Sequence, residues 1–244
     1  MSQTYLNLSH IRKSFGETVA LDGISMSIRS GMVHTVFGEN GSGKSTLVKI
    51  LSGVLAPDSG TVEIDGRRIV RPTPKALREA GIATVFQEVL VAPNRSVTEN
   101  VFLGQDASLR WKVTGTKREN LVLDVLRELS RRPFELRVEV GGLDLVQQHQ
   151  ISIARALLLE PRLLVLDEST AALDIVDRDM LFAAVRTRVK RGMSVLFVSH
   201  RMDEVLEISD EVTVLHSGKV VETLPKGAFD EHELLSRLQP EAAL

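Results

Sequence analysis

The chain has 244 residues, enough for a large core in one or two domains, and its 30 Lys and Arg against 32 Asp and Glu leave a net charge of −2. The charges are dispersed, with no basic block of the kind that marks a nucleic-acid footprint. Cysteine is absent, which excludes a disulfide framework, and no apolar run approaches the ~20 residues of a membrane span. The N-terminus lacks a charged-then-apolar leader pattern. These features predict a soluble, cytoplasmic chain whose membrane role, if any, comes through a partner.

Taken in chain order, the first part reads as β structure. Leu6, Leu8 and Ile11 punctuate a short strand, and Ile24, Met26 and Ile28 alternate with Ser25, Ser27 and Arg29 as in a half-buried strand. The apolar stretch His34 to Phe37 reads as a buried strand, with a helix starting at Leu47. Between them, Gly38-Glu39-Asn40-Gly41-Ser42-Gly43-Lys44-Ser45-Thr46 fits the phosphate-loop pattern G-x-x-x-x-G-K-[ST], in the strand-loop-helix setting that the motif requires. Its glycines let backbone N–H groups turn toward phosphate oxygens, and the helix N-terminus adds its positive dipole end. Lys44 is then placed to reach the β- and γ-phosphates of a bound nucleotide, and the Ser45 hydroxyl to ligate Mg²⁺.

Thr61–Ile64 and Arg68–Val70 flank Asp65-Gly66, a hairpin signal, and Ala83–Phe86 is another short strand. From about 88 to 158 the pattern turns helical. A helix is predicted from Thr116 to Arg132, stopped by Pro133, and another from Gln147 to Leu159, with a doubtful strand at Leu136–Val138. The last third alternates: strand Leu163–Leu166, helix Ile175–Arg191 ending at Gly192, strand Ser194–Val198 and helix Met202–Ile208. A hairpin around Ser217-Gly218 and a helix over Glu231–Leu238 follow. Continuous Val/Leu/Ile strands between helices imply a parallel sheet covered on both faces. The expected fold is α/β: a phosphate-loop NTPase core with a mainly parallel sheet, an antiparallel β subdomain and an inserted α-helical subdomain. One domain spans 1–244, with 1–87 and 159–244 as the core and 88–158 as the insertion.

The strand over 163–166 delivers Asp167 and Glu168 at its C-terminal end, where ligands of open α/β sheets bind. Asp167 is the expected Mg²⁺ partner, direct or through water, and Glu168 is placed to polarise an attacking water.

Gln87 after Val85-Phe86, then Asp167-Glu168, then Ser169-Thr170-Ala171-Ala172-Leu173-Asp174, then Val198-Ser199-His200 resemble the ordered motif series of ABC-type ATPases, from Leu6 to about Leu238. The resemblance implies that Gln87 contacts Mg²⁺ and the lytic water and links to the membrane domain. It implies that Asp174 crosses a dimer interface, and that His200 contacts the γ-phosphate. Phe15, in Lys13-Ser14-Phe15-Gly16, matches the aromatic on which adenine stacks. Val85–Glu88, Ser96–Gly104 and Val198–Val205 look like the ATPase subunits of ribose- and galactose-type sugar importers. By that resemblance the chain matches the N-terminal of two ATPase halves. The implied partners are integral membrane transporter subunits, a second ATPase domain as homo- or heterodimer, and indirectly a periplasmic or extracellular binding protein. The implied location is the cytoplasmic face of the membrane, with the transporter groove near Glu88–Arg95 and the helical insertion. A non-hydrolysing regulatory subunit and a soluble non-transport ABC protein are the alternatives.

One motif departs from the family. Anchoring on Ala154-Arg155-Ala156-Leu157 places Leu143-Asp144-Leu145-Val146-Gln147 where Leu-Ser-x-Gly-Gln is expected. In the family this segment caps ATP held by the opposite cassette. Asp144 replaces a hydrogen-bond donor with a like charge, a repulsion of about 4 kcal/mol at 4 Å and an effective dielectric of 20 before solvent and relaxation reduce it. Val146 adds a branched side chain where glycine permits close approach. The expectation is a sound phosphate site, an impaired signature, and dependence on a second ATPase half.

Overall fold

The computed structural model describes residues 3–105 and 115–238. They fall into two compact units: Met1–Thr84 with Arg162–Glu168 and Val189–Leu244, and Val85–Pro161 with Ser169–Arg188.

The first unit contains both sheets. In the antiparallel one, β1 (Thr4–Phe15) pairs with β2 (Thr18–Arg29) and with β4 (Ser59–Ile64), which pairs with the two-residue β5 (Arg67–Arg68). The short strand expected around Leu6 is twelve residues long. A pure alternation cannot bury both Leu8 and Ile11; the register shifts between them, where His10 has φ 51°. The second hairpin strand stops at Arg68, and Val70 is exposed.

The six-stranded sheet has the order β10-β9-β3-β8-β7-β6. Here β3 is Val33–Phe37, β6 Ile82–Val85, β7 Leu163–Asp167, β8 Ser194–Ser199, β9 Glu211–His216 and β10 Lys219–Pro225. Strand β3 lies between β8 and β9, parallel to both, β7 is parallel to β8, and β10 closes the edge as an antiparallel hairpin. Every residue of β3, β7 and β8 is buried, which is why they read as unbroken apolar runs. Helix α1 (Lys44–Leu51) packs on β7, α7 (Met202–Ile208) on β3 and β8, and α8 (Glu231–Leu238) on β9. Phe37, Val205, Val214, Leu224 and Leu234 join the last two helices to the sheet in one apolar cluster. Helix α2 (Pro74–Glu79) is absent from the sequence reading, although Thr73 caps it and Pro74 opens it.

The second unit is helical among its described residues: α3 (Val97–Val101), α4 (Thr116–Arg127), α5 (Leu145–Leu158) and most of α6 (Ile175–Val189). Helix α3, also unforeseen, opens on a capping box between Ser96 and Glu99. Helix α4 ends at Arg127, so Pro133 is not its stop; Leu129 and Ser130 turn back onto the Leu126 carbonyl instead. Residues 136–138 form no strand; Leu136 and Val138 accept hydrogen bonds from the first turn of α3.

Candidate functional site

The phosphate loop is set by what surrounds its glycines. A Cβ at Gly38 would run into the Leu215 carbonyl. One at Gly43, whose φ is +106°, would lie 2.6 Å from the Ala20 carbonyl oxygen. Gly43 is the N-cap of α1 and brings no side-chain cap, so the helix begins at Lys44, three residues before the position expected from sequence. Its first-turn N–H groups therefore point out of the loop toward any anion placed there. The buried Lys44 curls back over the loop and donates from Nζ to the Gly38 carbonyl at 2.7 Å and the Glu39 carbonyl at 2.8 Å. Burial lowers its pKa, while Glu168, Asp167 and Glu39 hold it charged. Ser42 is buried, and its Oγ makes no hydrogen bond among the described residues; Glu39, Asn40, Gly41 and Ser45 are exposed, and Thr46 is half-buried.

Strand β7 delivers Asp167 beside this lysine. Burial, and then Glu168, push its carboxyl up to about 6, against the pull of Lys44 and Lys49. Desolvation outweighs attraction for both members of the Lys44–Asp167 pair, so each is held less comfortably as an ion than in water. Asp167 Oδ1 is buried with no hydrogen-bond partner among the described residues. A hard, unshared carboxylate oxygen next to a phosphate loop fits a divalent cation, and Mg²⁺ in particular.

Glu168 has φ +45°, a left-handed backbone that costs a non-glycine residue about 1–2 kcal/mol. Its N–H donates to the Val198 carbonyl at 3.0 Å, which holds the strained residue at the mouth of the sheet. Glu168 Oε1 lies 3.1 Å from His200 Nδ1. The segment carrying His200 is fixed by a feature the sequence reading passed over. Buried Glu204 accepts from Ser199 Oγ at 2.8 Å, and Ser199 Oγ accepts from the Arg201 N–H at 3.0 Å. A carboxylate on the inner face of a short apolar helix was the available signal. Phe15 stands at the end of β1 with 51% of its surface exposed.

Phe15, Gly38 to Thr46, Asp167, Glu168 and His200 belong to the first unit. The second carries Gln87, Asp144, Val146, Gln147 and Asp174. Gln87 is exposed just past the end of β6. Asp144 is the N-cap of α5, accepting from the Gln147 N–H at 2.8 Å and from Arg132 Nη1 at 2.8 Å. Asp174 caps α6 in the same manner, accepting from the Asp177 N–H at 2.8 Å and from Arg131 Nη2 at 3.1 Å. The Asp177 N–H, then burial against it, and Arg131 set the Asp174 carboxyl below its ordinary value on balance. Two adjacent arginines thus hold two helix-capping aspartates. His149, on α5, is a further residue the sequence reading did not weigh. It is buried, and its Nε2 lies 2.6 Å from the carbonyl of Ser169, the residue after Glu168.

A phosphate loop, a strand-end Asp-Glu pair and a histidine on the glutamate, set on this sheet order, define the ATP-binding cassette class. The chain belongs to the ABC transporter family, which it matches over residues 21–171. It is 36% identical over 234 residues to the ribose import ATP-binding protein RbsA of Bacillus licheniformis, covering 96% of this chain and 48% of that protein. It is 39% identical over 230 residues to RbsA 3 of Rubrobacter xylanophilus, covering 94% and 46%. The chain spans about half the length of these curated relatives. Among solved structures, it is similar to the ADP conformation of MJ1267, an ATP-binding cassette of an ABC transporter (TM-score 0.80, 27% identity, 99% and 97% of the two chains). It is also similar to dimeric MJ0796 in a post-hydrolysis state bound to ADP and Pi (TM-score 0.83, 25% identity, 92% and 100%).

Proposed function

We propose that this chain binds and hydrolyses ATP to drive an ABC importer of ribose or a related sugar. The observation that carries the reading is the convergence on one sheet end of an uncapped helix N-terminus, Lys44, an orphaned Asp167 oxygen and the Glu168–His200 pair. The Gly38–Thr46 backbone cradles the phosphates, Lys44 leaves its two carbonyls for the β- and γ-oxygens, and Phe15 takes the adenine. Ser45 and Asp167 would hold Mg²⁺, which would neutralise charge building on the γ-phosphoryl group, and the family resemblance assigns Gln87 a contact to the same ion. Glu168 orients the attacking water, and His200 fixes the carboxylate and faces the γ-phosphate. The partners in this reading are membrane permease subunits at the cytoplasmic face, a second ATPase domain and, through the permease, a sugar-binding protein.

The Asp144 geometry favours a refinement. The cap of α5, where the resemblance expects a serine hydroxyl that could donate to an opposing phosphate, is an acceptor-only carboxylate. Two such chains would make two impaired composite sites, so a different ATPase half supplies the working signature. The same observation favours a second reading, a regulatory subunit that binds nucleotide without turning it over. Nucleotide binding and steady-state hydrolysis across protein concentrations, with Glu168→Gln as control, test these readings. Binding without turnover by the chain alone, and turnover once a second ATPase half is added, are expected. Turnover rising faster than linearly in the chain alone would remove the need for another half, and no turnover with any partner would leave the regulatory reading.

A further inference from the structure

The tripeptide Lys13-Ser14-Phe15 at the end of β1 is clamped from a different strand. Asp58, just before β4, accepts from Lys13 Nζ at 2.6 Å through Oδ1 and from the Ser14 N–H at 2.7 Å through Oδ2. Its own N–H donates to the Arg12 carbonyl at 2.8 Å. The Lys13 hydrogen bond, then the Ser14 N–H, hold the Asp58 carboxyl below its ordinary value, so it is an anion at neutral pH. Lys13 and Phe15 lie two residues apart on β1, where the register shifts between Lys13 and Ser14, and their side chains are close. The Lys13 side chain is only 15% exposed, and its ammonium stands 5.6 Å from the centroid of the half-exposed Phe15 ring.

The ring is also placed with respect to the phosphate loop. Thr18 pairs with Phe15 across the hairpin, and Ala20, two residues on, presents the carbonyl against which Gly43 is packed. Phe15 and the loop therefore meet the same short segment of β2, Thr18 to Ala20, where the register shifts.

We infer that Lys13 and Asp58 are base-specificity residues: Asp58 fixes the Lys13 cation on the Phe15 ring, which orients the ring and polarises it to stack an electron-rich purine. A cation near one side of an aromatic ring draws π density toward itself, so the opposite side becomes a better acceptor surface for a purine. The carboxylate removes the freedom of a flexible lysine stem, so the ring is held before the base arrives. Three charged or aromatic side chains then read base type without any hydrogen bond to the base edge. This rests on the nucleotide-binding reading proposed above, and concerns which end of the nucleotide the pair acts on.

The test compares binding of ATP, CTP and inorganic tripolyphosphate, each with Mg²⁺, to the full chain and to Lys13→Met, Lys13→Arg and Asp58→Asn, by calorimetry. Lys13→Met and Asp58→Asn are expected to weaken ATP about 3- to 10-fold, to shrink its advantage over CTP, and to leave tripolyphosphate within twofold. Lys13→Arg, which keeps a cation and an ion pair, is expected to retain most of the ATP affinity. Equal weakening of ATP and tripolyphosphate would mean that Lys13 acts on the phosphates or on the fold and would overturn the proposal, as would no change in ATP binding. Failure of the unaltered chain to bind either ATP or tripolyphosphate would instead overturn the nucleotide reading, and this one with it.

Discussion

Arg132 and Asp144 form a 2.8 Å ion pair at the N-terminus of α5, and the same aspartate caps that helix through the Gln147 N–H. The cap matters to the fold more than the pair does, because both charged groups are about half exposed. Asp144→Ala should cost about 1 kcal/mol of stability, Asp144→Ser much less because serine also caps, and Arg132→Ala well under 1 kcal/mol. Function should follow the opposite order. In the proposed reading, Asp144→Ser with Val146→Gly supplies a donor and a close approach, and should raise hydrolysis by the chain alone at high protein concentration. Denaturant melts and a phosphate-release assay measure the two effects; unchanged turnover in the double variant counts against an impaired signature.

Asp167 gives a pH dependence whose sign is fixed by its raised pKa of about 6. The folded chain keeps this proton to higher pH than the unfolded chain does. Ionisation between about pH 4 and 6 therefore lowers folding stability, and the loss is complete above pH 6. Asp167→Asn should stabilise the nucleotide-free chain at pH 7.5 by about 1–3 kcal/mol, and the difference should nearly vanish at pH 4. In the proposed reading Mg²⁺ competes with the proton for the same oxygens, so Mg²⁺-dependent ATP binding should fall more steeply from pH 7.5 to 5 in the unaltered chain than in Asp167→Asn. Calorimetric titrations at both pH values read the difference.

The phosphate loop, the Asp167-Glu168 strand end and the parallel order were legible because each is a local pattern: fixed glycine spacing, or strands buried on both faces. Bends and partners were not. The length of β1 depends on a shift near His10 that lets Leu8 and Ile11 face one core, and no alternation rule contains it. Helices α2 and α3 are too short to show periodicity; their caps at Thr73 and at Ser96 with Glu99 were the only signals. The sequence reading placed Asp144 where the resemblance expects the signature serine. Its neutralisation by Arg132, twelve residues away, is a tertiary fact, as is the seat of Lys13 between Asp58 and Phe15.

His149 adds an acid-range dependence of its own. Burial lowers its pKa, partly offset by its hydrogen bond with the Ser169 carbonyl, so the folded chain prefers the neutral ring with Nε2–H as donor. Its stability contribution is full above the unfolded value near 6.5 and declines as the pH falls below it, because the unfolded chain gains a proton that the folded chain resists. His149→Gln keeps a donor toward Ser169 and has nothing to titrate. Its stability should fall less than that of the unaltered chain between pH 7.5 and 5.5, measured as the shift of the urea midpoint.

Glu168 separates stability from catalysis. Its left-handed backbone is a strain that only glycine escapes, while its side chain makes a 3.1 Å contact with His200. Glu168→Gly should therefore keep or raise the melting temperature of the nucleotide-free chain, by the equivalent of up to about 1 kcal/mol, while turnover is lost. Glu168→Gln keeps the strain and the shape but removes the proposed base. It should bind ATP as the unaltered chain does and hydrolyse it at least 10²-fold more slowly when paired with a competent ATPase half. A Gln variant that loses binding and turnover together would place Glu168 among the groups that hold nucleotide, and the water-orienting role would pass to Gln87 or His200.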